Sequence, residues 1–356
     1  MIERLKTPVC IRAAVIVAVM SGSIGCANNG DRRDGGRDGE PQPLSIAEQN
    51  RLAQDAVSLL RDATRSEDAQ TRANAYESLV LRPEELAEVA GQGLLDPNLG
   101  VRSVASMSIG RAKISGFDAE LAVLLKDESP YVQAAAVYAL AALGRQVDQT
   151  RLADFARRGD PVQLRGHAAY LLGELGEPTA VGPLRTALRE PMPMASQAER
   201  RLVELQISEA MIKLGDLEQL GPVRAALYPS QPSDLEAMAL AVQIVGEVND
   251  RAARGRLVQI SESTDDSGQT MPAEIQLAIA ISMARLGDPG GWFLAEGLWA
   301  SDRDVVRADA ATVLGWTARP QDIDRLGVML SDPSERVRVA AARGVLRALD
   351  RRAGSG

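Results

Sequence analysis

The chain has few of the residues that ordinary active sites and large sheets are built from. Aromatic residues make up only 3% of its 356 positions, there is one histidine, and the two cysteines both lie near the start, at Cys10 and Cys26. A body without cysteine can form neither a disulfide framework nor a thiolate metal site, and one histidine cannot supply the several ligands of a usual zinc centre. Lysine occurs only at Lys6, Lys113, Lys126 and Lys213, and the formal net charge is −8. That balance argues against nucleic acid as a partner, since binding one needs a basic stripe. No sustained alternating run of β-branched residues marks strands. No phosphate loop, dinucleotide fingerprint or nucleophile elbow is present either, and Gly91-Gln92-Gly93 lacks the rest of such a motif. Nothing in the residues therefore points to an enzyme, a cofactor or a metal.

What is present is apolar content of 45%, which is that of a folded chain. With so few aromatics the core must be Leu, Ala and Val, which suits closely stacked helices. A recurring sentence organises them. Ser301–Gly315 runs from an acid in a short turn through Val-Arg, Ala-Ala and Leu-Gly, and related copies stand at 332–346, 160–173 and 96–110. Internal repetition is the first thing to read in such a chain. Val101, Val132, Leu164, Val306 and Val337 occupy one position of it, and the clearest copies are 31 or 32 residues apart. From Leu44 on, the pattern predicts nine helix pairs, interrupted by inserted loops at Pro191–Met194 and at 261–271.

The residues Asp332, Pro333, Val337, Arg338, Ala341, Ala342 and Leu346, with Val306, Arg307, Ala310, Ala311, Leu314 and Gly315, carry a resemblance to the HEAT-repeat family. The likeness is greatest to its short bacterial type, named for phycobilisome lyases. The resemblance implies an all-α solenoid over 44–350: about nine antiparallel helix pairs stacked into a right-handed curve, the second helices lining the inner face. A stack of this kind is expected to be an open arc roughly 90 Å long. The family name alone suggests a lyase-like enzyme as an alternative, and a purely structural envelope spacer is a third reading.

The helical wheel can be read without the resemblance. With the Val position as zero, positions 0, 4, 5 and 8 form one apolar stripe, here Val306, Ala310, Ala311 and Leu314. Positions 2, 3, 6 and 10 form the opposite stripe, which is expected to face solvent or a partner. Met107, Tyr138 and Tyr170 all fall at position 6, with His167 at position 3 beside Tyr170. Asp309, Thr312 and Trp316 hold positions 3, 6 and 10 of a later helix. Met107, Tyr138, His167, Tyr170, Thr312 and Trp316 are therefore the candidate protein-binding residues, tyrosine and tryptophan offering large contact area at small entropic cost. The recurring pairs Asp96/Arg102, Asp160/Arg165, Asp302/Arg307 and Asp332/Arg338 read instead as a structural ladder. In that reading the acid caps helix N–H groups and the arginine reaches an adjacent turn. Trp292 and Trp299, seven apart, are expected on one face of one helix, in the core.

The beginning of the chain reads as an address. Arg4, Lys6 and Arg12 precede a short apolar run, 13–20, too short to span a bilayer, and small residues lead to Cys26. Ser23-Ile24-Gly25-Cys26 resembles the lipobox of bacterial lipoproteins, with Ser23 where leucine is usual. The resemblance implies cleavage of residues 1–25 and a lipid on Cys26; the alternative is a plain secretory signal. Cleavage would remove three bases and one acid, taking the formal charge from −8 to −10. Residues 26–43, rich in Gly, Asp, Asn and Arg, read as a disordered tether, and 351–356 as a disordered tail. The expectation is a lipid-anchored solenoid on the extracytoplasmic side of a bacterial envelope, with protein partners on its concave face.

Overall fold

The computed structural model describes residues 44–264, 268 and 270–354; the expected signal peptide, tether and Cys26 lie outside them. Among the described residues, eighteen α-helices alternate in nine pairs. They are α1 (Ile46–Ala63) and α2 (Ala69–Leu79), α3 (Pro83–Leu94) and α4 (Leu99–Ala112), α5 (Asp118–Leu124) and α6 (Pro130–Ala142). Next come α7 (Thr150–Arg158) and α8 (Gln163–Leu175), α9 (Val181–Arg189) and α10 (Gln197–Lys213), α11 (Leu220–Ala225) and α12 (Leu235–Glu247). The last are α13 (Arg254–Glu262) and α14 (Ala273–Arg285), α15 (Trp292–Glu296) and α16 (Asp304–Thr317), α17 (Pro320–Met329) and α18 (Glu335–Ala353). Each falls where the repeat pattern places it. The last helix runs to Ala353, past the expected end at 350.

The solenoid is not an arc. Each even-numbered helix packs on the next, α2 on α4 and so on to α16 on α18, and α18 then packs on α2, while α1 lies against α18. One apolar cluster accordingly holds Ala56, Leu60 and Tyr76 from the first pair together with Leu314, Val337 and Leu346 from the last two. Polar contacts cross the same seam: Arg82 donates to both oxygens of Asp350 at 2.9 Å, Ser66 to Glu335 at 2.6 Å, and Arg343 to Glu77 at 3.1 Å. Nine units thus close a ring of inner helices, each turning the chain by about 40°.

The apolar stripe explains the stacking. Val306, Ala310, Ala311 and Leu314 are all buried, and the structure adds Thr71, Val203, Ala237 and Ile275 as the position-zero residues of the other units, buried likewise. The Leu-Gly of the repeat has a separate cause. Gly110, Gly173, Gly246 and Gly315 stand at position 9 of α4, α8, α12 and α16, each against position 7 of the next inner helix. A Cβ there would lie 2.8 Å from the Cα of Ala139, 2.9 Å from that of Ala210, 2.8 Å from that of Ser282 and 2.6 Å from that of Gly344. Alternate interfaces are therefore drawn tight, and α4–α6, α8–α10 and α16–α18 are the most extensive contacts between inner helices.

The Asp–Arg ladder joins units with an offset of one. Arg72 holds Asp96 by two bonds of 2.7 and 2.8 Å, Arg102 holds Asp127 by 2.9 and 3.0 Å, and Arg307 holds Asp332 by 2.8 and 2.9 Å. Each arginine also donates to carbonyls of its own turn. Arg102 thus meets only the carbonyl of Asp96, and Arg307 only that of Asp302, at 2.9 and 3.1 Å. The carboxylates of Asp96 and Asp332 each accept from the backbone N–H two residues on, at 2.8 Å. Arg338 ends the ladder on the carbonyls of Asp332 and Pro333, at 2.8 and 3.1 Å, since the next unit in the ring presents Ser66 in place of an acid. Asp160 and Arg165 do not pair. The preceding unit has Gln133 at the arginine position and sends nothing to Asp160, while Arg165 turns to the carbonyls of Gly159 and Pro191, at 3.3 and 3.2 Å.

Trp292 and Trp299 do not share a helix, because α15 stops at Glu296. Both are half-buried, Trp292 under Arg319 at 4.0 Å and Trp299 beside Arg325 at 5.8 Å.

Candidate functional site

Closure changes what the second stripe faces. In the closed ring, positions 6 and 10 of most inner helices, with position 3 of α8, α10, α14 and α16, face a common lumen. It contains a cavity of about 350 Å³ lined by residues of eight of the nine inner helices, all but α6. Consecutive inner helices run parallel, so the three positions form three layers, spread over about 10 Å at 1.5 Å per residue. Met107, His167, Tyr170, Thr312 and Trp316 line this cavity. Tyr138 holds the same layer but lies beneath the wall, 4% exposed and packed against Gly110. These residues are not an exposed patch on an open surface, since Met107 and His167 are only 4% and 3% exposed. Burial pulls the His167 imidazole down to about 4, so it is neutral at neutral pH, with its ring tilted against Tyr131 at 5.4 Å.

One side of the lumen is a closed network of charges. Arg111 donates to the Tyr170 hydroxyl and, at 3.2 Å, to Glu174. Lys213 bridges Glu174 at 2.6 Å and the buried Glu209 at 3.0 Å, and its Nζ lies 5.1 Å from the Tyr170 ring. Burial opposes the Arg111 cation, but Tyr170 and Glu174 outweigh it and raise its proton affinity. Such a network tolerates burial because each charge meets its opposite.

The other side is different. Trp316 has the guanidiniums of Arg347, Arg285 and Arg351 around it, at 4.5, 4.8 and 5.4 Å from the ring. Arg285 pairs with Glu247 and Arg343 with Glu77. Burial, and then the cations of Arg343 and Arg285, lower Arg347 to about 9. Among the described residues neither Trp316 Nε1 nor Asp309 Oδ2 has a hydrogen-bond partner, although both atoms are out of contact with solvent. A buried polar atom in that state costs about 1–3 kcal/mol. Burial, reinforced by Glu274, pushes the Asp309 carboxyl up to about 7.

Most charged members of the lumen, among them Arg111, Glu174, Glu209, Arg285, Arg343 and Arg347, were not singled out from the sequence. The signal was available, since all occupy positions 6 or 10. Reading those two columns across every unit, rather than their aromatics alone, finds them. No group of three or more His, Cys, Asp or Glu able to hold a metal ion occurs among the described residues. No described helix is long and apolar enough to cross a membrane.

No protein-family model matches the chain, and no curated protein sequence matches it. Among solved structures it is similar to human deoxyhypusine hydroxylase in complex with glycerol, at 19% identity and a TM-score of 0.37, over 77% of this chain and 98% of that one. It is also similar to an engineered protein, at 17% identity and a TM-score of 0.34, over 85% of this chain and 94% of that one. These likenesses concern the helical-repeat fold.

Proposed function

We propose that the chain is a ring-shaped binding protein whose lumen holds a small polar molecule, and that Cys26 tethers it by lipid to the extracytoplasmic side of a membrane. The chemistry of the inward layers supports this reading. A ring that served only as a spacer could fill positions 6 and 10 with small apolar residues, as it does the stripe at positions 0, 4, 5 and 8. Instead those layers hold charges and aromatics, brought together against a desolvation penalty. The cavity of about 350 Å³ falls in the range of ligand pockets, roughly 300–1,000 Å³. It is too small for a folded partner, so a protein could enter the lumen only as a side chain or a chain end. The tether is supported by the residues before and after Cys26, which give a short apolar run, a lipobox-like step and a spacer.

The test is native mass spectrometry of the protein purified from its own membranes. A low-mass adduct is expected on the wild type and not on Thr312→Trp, which fills the lumen while helical content is unchanged. A wild type that carries no adduct and is not stabilised by any member of a metabolite panel would overturn the proposal.

A further inference from the structure

If the lumen holds a small ligand, its uneven charge specifies the chemistry of that ligand. We infer that the ligand carries a compact oxyanion, a carboxylate or a phosphate, seated against Arg347 where α14, α16 and α18 meet. The inference rests on the binding reading above and adds what is bound.

Helix α18 places Arg343, Arg347 and Arg351 four residues apart, hence along one face, and α14 adds Arg285. Three of these four guanidiniums gather around the single indole of Trp316, at 4.5 to 5.4 Å. Glu77 pairs with Arg343 and Glu247 with Arg285. Arg347 has no carboxylate partner among the described residues. Across the lumen, Arg111 and Lys213 are matched by Glu174 and Glu209. Five cations of the lumen, Arg111, Lys213, Arg285, Arg343 and Arg347, therefore face four carboxylates, with Asp309 held largely protonated below its raised value of about 7. This positive excess sits inside a chain whose formal charge is −8.

A simpler cause must be weighed. Inner helices end on this side of the ring, and helix C-termini favour cations. That accounts for Arg111, Lys213 and Arg285, each at or one residue before the end of its helix. It does not account for Arg347, which lies more than a turn before Ala353, because the dipole effect fades within the last turn. Like charges this close disfavour one another, in keeping with the lowered value of Arg347. An oxyanion relieves that repulsion and supplies acceptors to a guanidinium fork, which takes carboxylate or phosphate by two parallel N–H bonds. Trp316 keeps the forks together by cation–π attraction.

The test is calorimetric titration of the full-length protein in detergent at low ionic strength, with inorganic phosphate and citrate as probes and glucose and putrescine as neutral and cationic controls. The wild type is expected to bind phosphate or citrate at one saturable site, and which of the two binds distinguishes the two oxyanions. Arg347→Gln is expected to weaken that binding at least tenfold, and Arg145→Gln, at an exposed pair on the outside, to leave it unchanged. Without anion, Arg347→Gln is expected to melt at or above the wild type, since it removes an uncompensated cation, and to lose the rise in Tm that the oxyanion gives. Oxyanion binding that Arg347→Gln does not weaken would overturn the inference. So would glucose or putrescine binding that is abolished by Thr312→Trp with no oxyanion binding, an outcome that leaves the lumen reading standing. Binding of no probe, together with no adduct on the native protein, would overturn both.

Discussion

Gly315→Ala tests the packing on which ring closure depends. In an unconstrained helix this change is favourable by about 0.5–1 kcal/mol, because alanine loses less backbone entropy on folding. At position 9 of α16, however, the new methyl carbon would sit 2.6 Å from the Cα of Gly344 and 3.0 Å from its carbonyl oxygen. Both are main-chain atoms of α18, so no side chain can swing aside. The two helices must separate by about 1 Å to reach ordinary contact, and overpacking of this kind costs typically 1–3 kcal/mol. Closure adds to that cost: an open stack could fan out at one interface, whereas a ring must spread the displacement over its other interfaces. The expected net loss is about 1–2 kcal/mol, read as a lower urea midpoint by circular dichroism. Gly182→Ala, on outer helix α9 with open space around it, is the control and is expected to stabilise slightly. If Gly315→Ala unfolds at the wild-type midpoint or above it, the close-approach explanation of the Leu-Gly repeat is wrong.

Other outcomes follow from single contacts. Asp332→Asn removes the charge from a two-bond pair whose side chains are only 15% and 10% exposed, and is expected to cost about 1–3 kcal/mol. Arg145→Gln, in a pair 50% and 42% exposed, should cost under about 0.5 kcal/mol. His167 and Asp309 should give opposite pH slopes. The folded value of His167 lies at about 4, below its ordinary 6.5, so the unfolded chain binds the extra proton between those values, and stability should fall by roughly 3 kcal/mol as pH drops from 6.5 to 4. His167→Phe should flatten that slope in urea unfolding. Asp309 is raised to about 7 from 3.8, so the folded chain keeps a proton that the unfolded chain loses, and stability falls as pH rises through that window. Asp309→Asn should therefore stabilise at pH 8 and do little at pH 4. Cys26→Ser should move the protein from the membrane to the soluble fraction and abolish palmitate labelling; a wild type that takes no label argues against the anchor.

Much of the scaffold is written locally. Val306, Ala310, Ala311 and Leu314 recur at helical spacing, so their burial follows from periodicity. Helix ends follow from turn residues such as Asp332-Pro333. The lumen layers were half legible. Wheel positions 6 and 10 separate from the apolar stripe in most units, and Tyr170, Thr312 and Trp316 stand out by residue type. Arg111, Glu174 and Arg347 do not, because a charge on a polar stripe is the expectation for any solvated helix.

The sequence alone thus determined nine helix pairs, the face by which they stack and the rows that lie opposite that face. It did not determine what those rows face. Curvature is the sum of small rotations at nine interfaces, each set by contacts between residues some thirty positions apart, such as Gly315 on Gly344, and a change of a few degrees per unit separates an arc from a ring. Only the tertiary structure decided that the last helix meets the first. That contact turns an outer stripe into a lumen, in which three arginines from α14 and α18, far apart along the chain, gather around one tryptophan.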